Sequence, residues 1–486
     1  MHPVFPGLSG ALRFGVHNNN LRNGCRALVE RVFLREDNGN LIPPPPCVED
    51  VNKTLEEFKA AVITRVGVHR RWSVDKFVNS YTGRRQNVYA RAAKSLETTP
   101  VHTGDFKVMN AFVKAEKTNL TSKPDPAPRV IQPRNPRYNV EVGRFLKGLE
   151  HKVYKAVEDI FGDPTVMKGY NAEEVAEHMV SKWQSFSDPV AVGLDASRFD
   201  QHVRPSMLEW EHSVYAGCFS TGEAKLLKWL LQGQIRNVCT MRVTDGLVKY
   251  RVDGSRMSGD MNTALGNCLI MCALVWRLGK VLGIRLKLAN NGDDCVVFME
   301  RKDLTAFNNK VKGFFLDYGF TMKVEAPSFF IEQIEFCQAK PVWDGCKWIM
   351  VRDPRVCTSK DATCVVKDYG YGSAASYWLG AVGECGLAMA GGIPVMQNYY
   401  SAFARFGNTN RQVQCVTETG MAYLARGLHR EATVISADAR VSFWRAFGIA
   451  PTQQRELEKW CDNTSLTLPN SPCIRAYPPR GILPLL

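Results

Sequence analysis

Two stretches of the chain carry the apolar runs typical of β-strands, and both runs meet acidic residues. The first, PVAVGL, leads into Asp195, and in the second the runs RLKLA and CVVFME flank the segment Asn-Gly-Asp-Asp. Because Asn and Gly tolerate a positive φ, the second pattern predicts a β-hairpin with Asp293 and Asp294 at or beside its tip. We therefore expect carboxylates to project from the ends of two strands.

Apolar residues with helical spacing predict further elements on both sides of these strands. Residues 51–96 and 140–185 have this periodicity, and so does the stretch TALGNCLIMCALVW, in which Thr263 and Asn267 lie on one helix face. Five prolines between residues 124 and 136 favour extended structure over residues 105–147. The first fifty residues are predicted to be rich in loops, and the chain after Trp348 to be helical.

Composition bounds the class of protein. With 486 residues, several subdomains are expected, and a hydrophobic content of 45% excludes wholesale disorder. A net charge of +14 suggests a polyanionic partner, although a merely basic surface explains it equally well. The 15 cysteines include no C-x-x-C pair, so they indicate buried thiols of an intracellular protein and neither a zinc site nor a disulfide framework.

One segment has the length and composition to be weighed as a membrane helix. Residues 376–396 contain a single charged residue, Glu384, but also five glycines and a proline. This composition favours a tightly packed buried helix and loop over a membrane-spanning helix. No direct membrane span and no signal peptide are predicted.

The acidic residues suggest metal-dependent phosphate chemistry. Mg²⁺ prefers oxygen ligands, and two strands that end in carboxylates would suit a two-metal site. Each signal has a simpler explanation when taken alone: Asp195 as a helix N-cap, Gly-Asp-Asp as a solvated turn, and the segment from Ser258 to Asn267 as a capped core helix. The order and spacing of the three signals favour one shared functional site over three unrelated structural features.

Together the motifs resemble a known family. LDASRFDQH, SRMSGDMNTALGNC, NNGDDC and RVIQPRNPRYNVEVG are similar to segments of the RNA-dependent RNA polymerases of positive-strand RNA plant viruses of the tombusvirus family, carmovirus-like in style. The resemblance runs from about residue 14 through at least residue 345 and is weak beyond it. It implies an α+β right-hand polymerase of the closed-hand viral type, with an antiparallel palm sheet.

The resemblance also implies a division of the chain and contacts across it. Residues 1–188 would form the N-terminal region and fingers, residues 189–345 the palm with a fingers insertion at about 205–250, and residues 346–486 a helical thumb. The N-terminal loops are expected to reach the thumb. The aromatic residues of the thumb are interpreted as core rather than as a platform for a first nucleotide.

Roles are implied residue by residue. Asp195, Asp293 and Asp294 match the metal-binding acids, and Lys323 matches a lysine that acts as general acid to pyrophosphate, although an ordinary lysine at a strand edge is the alternative. EFCQ, residues 335–338, matches a hairpin that grips the primer strand. The expected nucleotide-binding residues are Asp200, Ser258, Thr263 and Asn267 at the ribose, and Lys114, Lys117, Arg129 and Arg134 at the triphosphate.

The implied cofactor is Mg²⁺, with Mn²⁺ as a possible substitute. The implied partners are RNA template and product, NTPs, a membrane-anchored viral replication protein and host factors, in membrane-associated complexes of the host cytoplasm. Such polymerases usually form the downstream part of a longer readthrough or frameshift product. One alternative is a reverse transcriptase, which Asp200, Asn267 and Gly292 disfavour. The other is a non-catalytic RNA-binding scaffold, in which three spaced carboxylates would repel the RNA phosphates.

Overall fold

A four-stranded antiparallel sheet lies at the centre of the protein and carries the acidic residues. The computed structural model describes residues 2–5, 12–122, 124–365, 372–408 and 420–468. Within them the strands are β1 (His2–Pro3), β2 (Phe14–Gly15), β3 (Arg35–Asp37), β4 (Asn40–Ile42), β5 (Val108–Val113), β6 (Thr118–Asn119), β7 (Val130–Ile131), β8 (Pro189–Ala196), β9 (Arg236–Val243), β10 (Gly246–Asp253), β11 (Lys287–Asn290), β12 (Asp294–Glu300), β13 (Met322–Val324), β14 (Ala339–Trp343), β15 (Trp348–Arg352) and β16 (Thr363–Cys364).

Helices surround this sheet and make up most of the C-terminal part. They are α1 (Leu21–Leu28), α2 (Val51–Thr54), α3 (Glu56–Val66), α4 (Val74–Asn79), α5 (Gly83–Thr98), α6 (Thr103–Lys107), α7 (Pro136–Phe161), α8 (Ala172–Gln184), α9 (Phe199–His202), α10 (Pro205–Gly217), α11 (Thr221–Leu231), α12 (Thr263–Leu282), α13 (Leu304–Asp317), α14 (Pro354–Lys360), α15 (Gly372–Ala390), α16 (Met396–Phe406), α17 (Met421–Leu424), α18 (Ala437–Phe447) and α19 (Pro451–Asn463). Short 3₁₀ turns and one π-helical turn, Val29–Phe33, complete the set.

The central sheet has the strand order β11-β12-β8-β13, and every pairing in it is antiparallel. Alternate residues of β8 face opposite sides because side chains alternate along a strand. Val190, Val192 and Leu194 pack into the core formed with α3, α7, α10, α12 and α13. Ala191 packs with α8 on the other side. The predicted strands and hairpin are confirmed.

A second four-stranded sheet joins distant parts of the sequence. Its order is β10-β9-β5-β7, with β5 parallel to β9 and the other pairings antiparallel. Strands from residues 236–253 thus extend a sheet that begins in residues 108–131. The predicted boundary at residue 345 falls in the turn between β14 and β15, which pair with each other. The division into three subdomains stays a prediction.

Two predictions of local structure were wrong. The first fifty residues were expected to be rich in loops, but residues 21–33 form α1 and the π-helical turn; Asn20 caps α1 by accepting a hydrogen bond from the Asn23 backbone NH. Extended structure was expected from residue 105 and helical structure over residues 140–185; α7 and α8 confirm the helical prediction, but α7 already begins at Pro136, inside the segment expected to be extended. Proline is favoured in the first turn of a helix because the NH that it lacks would have no helical partner there.

The N-terminal segment reaches the C-terminal helices, as expected. β1 pairs with β16, and the buried Phe5 ring lies 4.2 Å from the Phe403 ring centroid and 5.7 Å from that of Tyr399. Of the C-terminal aromatics, Tyr399, Tyr400 and Phe403 are fully buried, which confirms that these are core, whereas Trp444 is 48% exposed.

Residues 376–396, which were considered as a membrane helix, form most of α15 and the start of α16. These two helices pack against each other. Gly383 and Gly386 allow this contact: a Cβ at Gly386 would lie 2.0 Å from the Tyr400 ring. The expected tightly packed helix is therefore confirmed. Among the described residues, α12 is the helix long and apolar enough to cross a membrane, and 72% of its most apolar window is buried inside the protein.

Candidate active site

The hairpin between β11 and β12 presents the two adjacent aspartates. Gly292 adopts φ +93° in the turn, a conformation that favours glycine. The Asn290 side chain fixes the turn by donating to the Gly292 carbonyl at 2.7 Å. Asp293 lies in this turn, and Asp294 is the first residue of β12. The local sequence Asn-Gly-Asp-Asp therefore places the first acid at the tip and the second on the sheet.

The sheet register brings Asp195 beside the hairpin. Asp195 on β8 lies directly opposite Asp294 on β12, and Lys323 on β13 lies opposite Asp195 on its other side. Residues directly opposite each other in an antiparallel pair project from the same face of the sheet. One face therefore carries two carboxylates and an ammonium in a row, next to Asp293 in the turn.

The pKa values reflect the cost of placing these acids together. Burial raises the pKa of Asp293, and the charge of Asp195 raises it further. Burial raises the pKa of Asp294 to about 6, opposed by a hydrogen bond of 2.9 Å from the Cys337 backbone NH; the charges of Asp293 and Glu325 add to the increase. A cation between such carboxylates would favour their ionised form.

The donor set suits a hard divalent cation, because all three predicted ligands are carboxylates on adjoining backbone positions. One Asp294 oxygen accepts a hydrogen bond from the Cys337 NH at 2.9 Å. In the described part of the chain, no three His, Cys, Asp or Glu side chains form a ready metal cluster. The assignment of Asp195, Asp293 and Asp294 as metal ligands stays a prediction.

Two of the residues predicted to bind the ribose form a hydrogen bond with each other. The Asn267 side-chain amide donates to an Asp200 carboxylate oxygen at 2.9 Å. Burial raises the pKa of Asp200, and the bond from Asn267 opposes that increase. Ser258 lies nearby and accepts a hydrogen bond from the Gln132 backbone NH. The Thr263 hydroxyl donates to the carbonyls of residues 257 and 260, so it serves the start of α12.

A cavity of about 990 Å³ connects these groups, with Asp195, Asp200, Ser258 and Asp293 in its wall. Six arginines also line it: Arg26, Arg31, Arg35, Arg129, Arg198 and Arg256. Burial lowers the pKa of Arg31 to about 10, and the positive charges of Arg198 and Arg129 lower it further. The same wall carries six carboxylates, so the arginines supply phosphate-binding groups within a cavity of mixed charge.

Of the four basic residues expected at the triphosphate, only Arg129 lines this cavity. Lys114 forms an ion pair with Glu116 at 2.8 Å. Lys117 was placed wrongly: it donates to the Lys360 carbonyl at 2.7 Å, and burial lowers its pKa to about 8. It therefore joins the N-terminal region to the C-terminal region.

Arg134 was also placed wrongly. Its side chain is fully buried and forms an ion pair with the buried Asp260. It also donates to the Phe106 and Gly233 carbonyls, both at 2.9 Å, and to the Asn237 side chain at 2.8 Å. Each of its nitrogens has a partner inside the protein, and the side chain is fully buried, so a nucleotide cannot contact it.

Lys323 faces a smaller cavity of about 390 Å³ beside the acids, which Glu325 and Glu335 also line. Gly193 makes room there, because a Cβ at this position would lie 2.2 Å from a Glu325 carboxylate oxygen. The exposed Lys323 ammonium is close to the acidic row, but its role as a general acid is untested. EFCQ forms the turn before β14 and supplies the Cys337 NH to Asp294.

Several residues at the site were missed from the sequence. Lys168 donates to Asn291 in the hairpin turn at 2.6 Å, and its charge lowers the pKa of Asp293. Arg198 lies inside the motif LDASRFDQH, so its position next to the acids was a usable signal. Arg31 was missed because its segment was interpreted as loop, whereas the π-helical turn directs it towards Arg129 and Arg198.

Carboxylates from two strand ends that face a cavity rich in arginine define a site suited to phosphate transfer on polyanionic substrates. Comparison with known proteins agrees with this class. Residues 3–469 match the viral RNA-dependent RNA polymerase family. The chain therefore belongs to the family of viral RNA-dependent RNA polymerases.

Similar curated proteins come from plant viruses. The RNA-directed RNA polymerase of tobacco necrosis virus (strain A) is 46% identical over 470 residues, which cover 96% of this chain and 64% of the relative. That of turnip crinkle virus is 44% identical over 468 residues, covering 95% and 59%. That of melon necrotic spot virus is 45% identical over 459 residues, covering 93% and 57%. The chain thus spans less than two thirds of the length of these relatives.

Proposed function

We propose that the protein is an RNA-directed RNA polymerase that replicates a positive-strand viral RNA genome. The observation that carries the proposal is the cavity in which Asp195 and Asp293 meet the Asp200 carboxylate and the Arg129 guanidinium. Acid, sugar-binding and phosphate-binding groups then surround one space. The names of the relatives, all RNA-directed RNA polymerases, support the same reaction.

The reaction would be nucleotidyl transfer from an NTP. The 3′-hydroxyl of the growing strand gives its proton to water, its oxygen forms a bond to the α-phosphorus, the bond from that phosphorus to the β-phosphate oxygen breaks, and pyrophosphate leaves. Asp195, Asp293 and Asp294 would hold two Mg²⁺ ions, or Mn²⁺ as a substitute. When bound, these ions would supply activation of the hydroxyl and neutralisation of the charge on the leaving group.

The remaining roles fall to side chains of the same face and cavity. Arg129 would bind the triphosphate through its fork of NH groups, aided by Arg31 and Arg198. Asp200, oriented by Asn267, would accept a hydrogen bond from the ribose 2′-hydroxyl. Lys323 would give a proton to the departing pyrophosphate oxygen. Positioning and charge neutralisation are the main sources of catalysis in such transfers.

We also propose that the chain is folded as a closed right hand. The central sheet would be the palm, the sheet of β5, β7, β9 and β10 would belong to the fingers, and the helices after residue 345 would be the thumb. Pairing of β1 with β16 and the Lys117 contact support closure between the first and last parts. RNA template, product and NTPs would occupy the enclosed space.

The wider setting is part of the same proposal. The chain spans 47% to 64% of the length of the relatives from maize chlorotic mottle virus and tobacco necrosis virus, so each relative has a further portion. A membrane-anchored viral replication protein and host factors would act with it, in membrane-associated complexes of the host cytoplasm. Flotation of the chain with membranes only when such a partner is co-expressed would support this.

The test of the reaction is Asp293→Asn in an assay of labelled NTP incorporation. The change removes a negative charge and keeps the shape of the side chain, so folding and RNA binding should persist while incorporation is lost. Glu36→Gln, an acid-to-amide change at the wall of the same cavity, is the matched control and should remain active. Near-normal synthesis by Asp293→Asn would contradict the proposal.

A further inference from the structure

A cluster of buried polar side chains lies behind the Asp200–Asn267 pair. Glu211 and Asn262 are 0% exposed and Arg256 is 1% exposed, in a part of the core that also holds Trp210 and Leu265. Charges are placed in such surroundings at a cost unless each is paired and hydrogen-bonded. The sequence motifs gave Arg256 and Glu211 no role, and the proposed reaction does not use them.

Arg256 contacts both members of the ribose-binding pair. Its Nε donates to the Asn267 Oδ1 at 3.1 Å, and its backbone NH donates to the Asp200 carbonyl at 2.8 Å. Its Nη2 forms an ion pair with Glu211, which holds the guanidinium in place. Its Nη1 is buried and has no hydrogen-bond partner among the described residues, so the guanidinium leaves one of its donors unsatisfied in this position.

Glu211 is fixed in turn by neutral donors. One carboxylate oxygen accepts from the Tyr215 hydroxyl at 2.7 Å and from the Asn262 side-chain amide at 2.6 Å. Gly266 leaves the space for this arrangement, because a Cβ there would lie 2.4 Å from both Arg256 Nη2 and Glu211 Oε1. A buried relay of contacts therefore runs from Glu211 through Arg256 and Asn267 to Asp200.

The chemistry of these groups sets the direction of the Asn267 amide. A guanidinium donates hydrogen bonds and accepts none, so Asn267 must turn its oxygen to Arg256. Its NH₂ then has to face Asp200, where it occupies one carboxylate oxygen at 2.9 Å. The other oxygen stays available to accept from a ligand hydroxyl. Without Arg256, the amide oxygen would lose its partner, and the amide would be held by its bond to Asp200 alone.

We propose that Arg256, held by Glu211, is a positioning residue that sets the Asn267 amide and thereby the preference for ribose over 2′-deoxyribose. The inference rests on the proposed polymerase function. It assigns the preference to a buried relay as well as to the residues that touch the sugar. Loss of the relay should reduce the reaction with NTPs more than the reaction with dNTPs, and so weaken discrimination between the two sugars.

The test compares kcat/KM for ATP and dATP in the unaltered chain and in Arg256→Lys. Lysine keeps the positive charge but has no fixed fork, so it cannot hold both Glu211 and Asn267 in the same geometry. The ratio of the two values should fall about three- to tenfold, the effect of one hydrogen bond, mainly through a higher KM for ATP. Glu211→Gln is the second variant and should lower the ratio in the same direction if Arg256→Lys fails to fold.

Tyr215→Phe is the matched control, because it removes a buried hydrogen bond to Glu211 without breaking any of the three contacts of Arg256. It should lower the thermal unfolding temperature and leave the ratio unchanged. Unaltered ratios in both Arg256→Lys and Glu211→Gln, with an unaltered chain that strongly prefers ATP, would overturn this inference and leave the polymerase assignment intact. A chain that incorporates neither nucleotide would overturn the proposed function, and this inference with it.

Discussion

Replacing Arg134 by methionine should destabilise the fold, although this arginine lies in a segment predicted to bind nucleotide. The change removes the partner of the buried Asp260 carboxylate and leaves three oxygen acceptors, on Phe106, Gly233 and Asn237, without their donor. Breaking a buried ion pair from one side costs about 3–5 kcal/mol. That is a large part of the roughly 5–15 kcal/mol by which folded proteins are stable.

Arg129→Met is the matched comparison. The Arg129 side chain is 55% exposed, and its ion pair with Glu116 is 3.4 Å long, so its loss should change stability by about 0–1 kcal/mol. It should instead raise the KM for NTPs. Urea unfolding followed by tryptophan fluorescence, together with NTP kinetics, separates the two effects for each variant.

The opposite pattern would refute this reasoning. If Arg134→Met unfolded at the same urea concentration as the unaltered chain and had a raised KM, Arg134 would be a nucleotide-binding residue after all. A second check is the double change Arg134→Met with Asp260→Leu. Because it removes both charges, it should recover part of the stability lost in Arg134→Met. No recovery would mean that the ion pair is not the cause of the loss.

Three further predictions concern packing and the acidic site. Phe5→Ala should cost about 3–5 kcal/mol and increase hydrogen exchange in β16, because the ring is buried among C-terminal aromatics. Gly386→Ala should cost about 1–3 kcal/mol in thermal unfolding because its Cβ would meet the Tyr400 ring, whereas Gly222→Ala, with open space around it, should be neutral or stabilising. The Asp294 pKa of about 6 exceeds its ordinary value of 3.8, so this group favours folding below about pH 4 and its contribution is lost as the pH rises through 6. Mg²⁺ should therefore raise the unfolding temperature more at pH 7 than at pH 5, and less in Asp294→Asn.

Each of these has an outcome that would count against it. Unchanged exchange in β16 after Phe5→Ala would show that the N-terminal segment does not stabilise the C-terminal region. Equal stability of Gly386→Ala and Gly222→Ala would mean that α15 and α16 can separate without cost. An equal Mg²⁺ effect at pH 5 and pH 7 would indicate that the cation binds away from Asp294.

The sequence was sufficient where structure depends on near neighbours. The hairpin around Asp293 follows from Asn-Gly between two apolar runs, and α12 follows from continuous apolar spacing after Gly259. The contact between Asp200 and Asn267 was expected only from the order of motifs in the resembled family. It depends on the packing of α12 against the sheet, which periodicity does not specify.

Contacts between distant residues could not be predicted. A basic residue in a Pro-rich segment has the same local pattern whether it faces a cavity, as Arg129 does, or a buried acid, as Arg134 does. The residue that it contacts determines where its side chain lies, and Asp260 is 126 residues away from Arg134 in the sequence. The Lys117 contact with Lys360 spans 243 residues for the same reason. The buried relay from Glu211 to Asn267 likewise appears only when α10 and α12 are packed together.

The most direct measurement is synthesis by the purified chain on a defined unprimed RNA, with labelled NTPs, in the presence of Mg²⁺ or of a chelator. We predict a labelled product whose sequence is complementary to the template, formed only when the divalent cation is present and absent in Asp293→Asn. RNA binding that is independent of metal, with no synthesis on any template, would contradict the account and favour an RNA-binding scaffold instead.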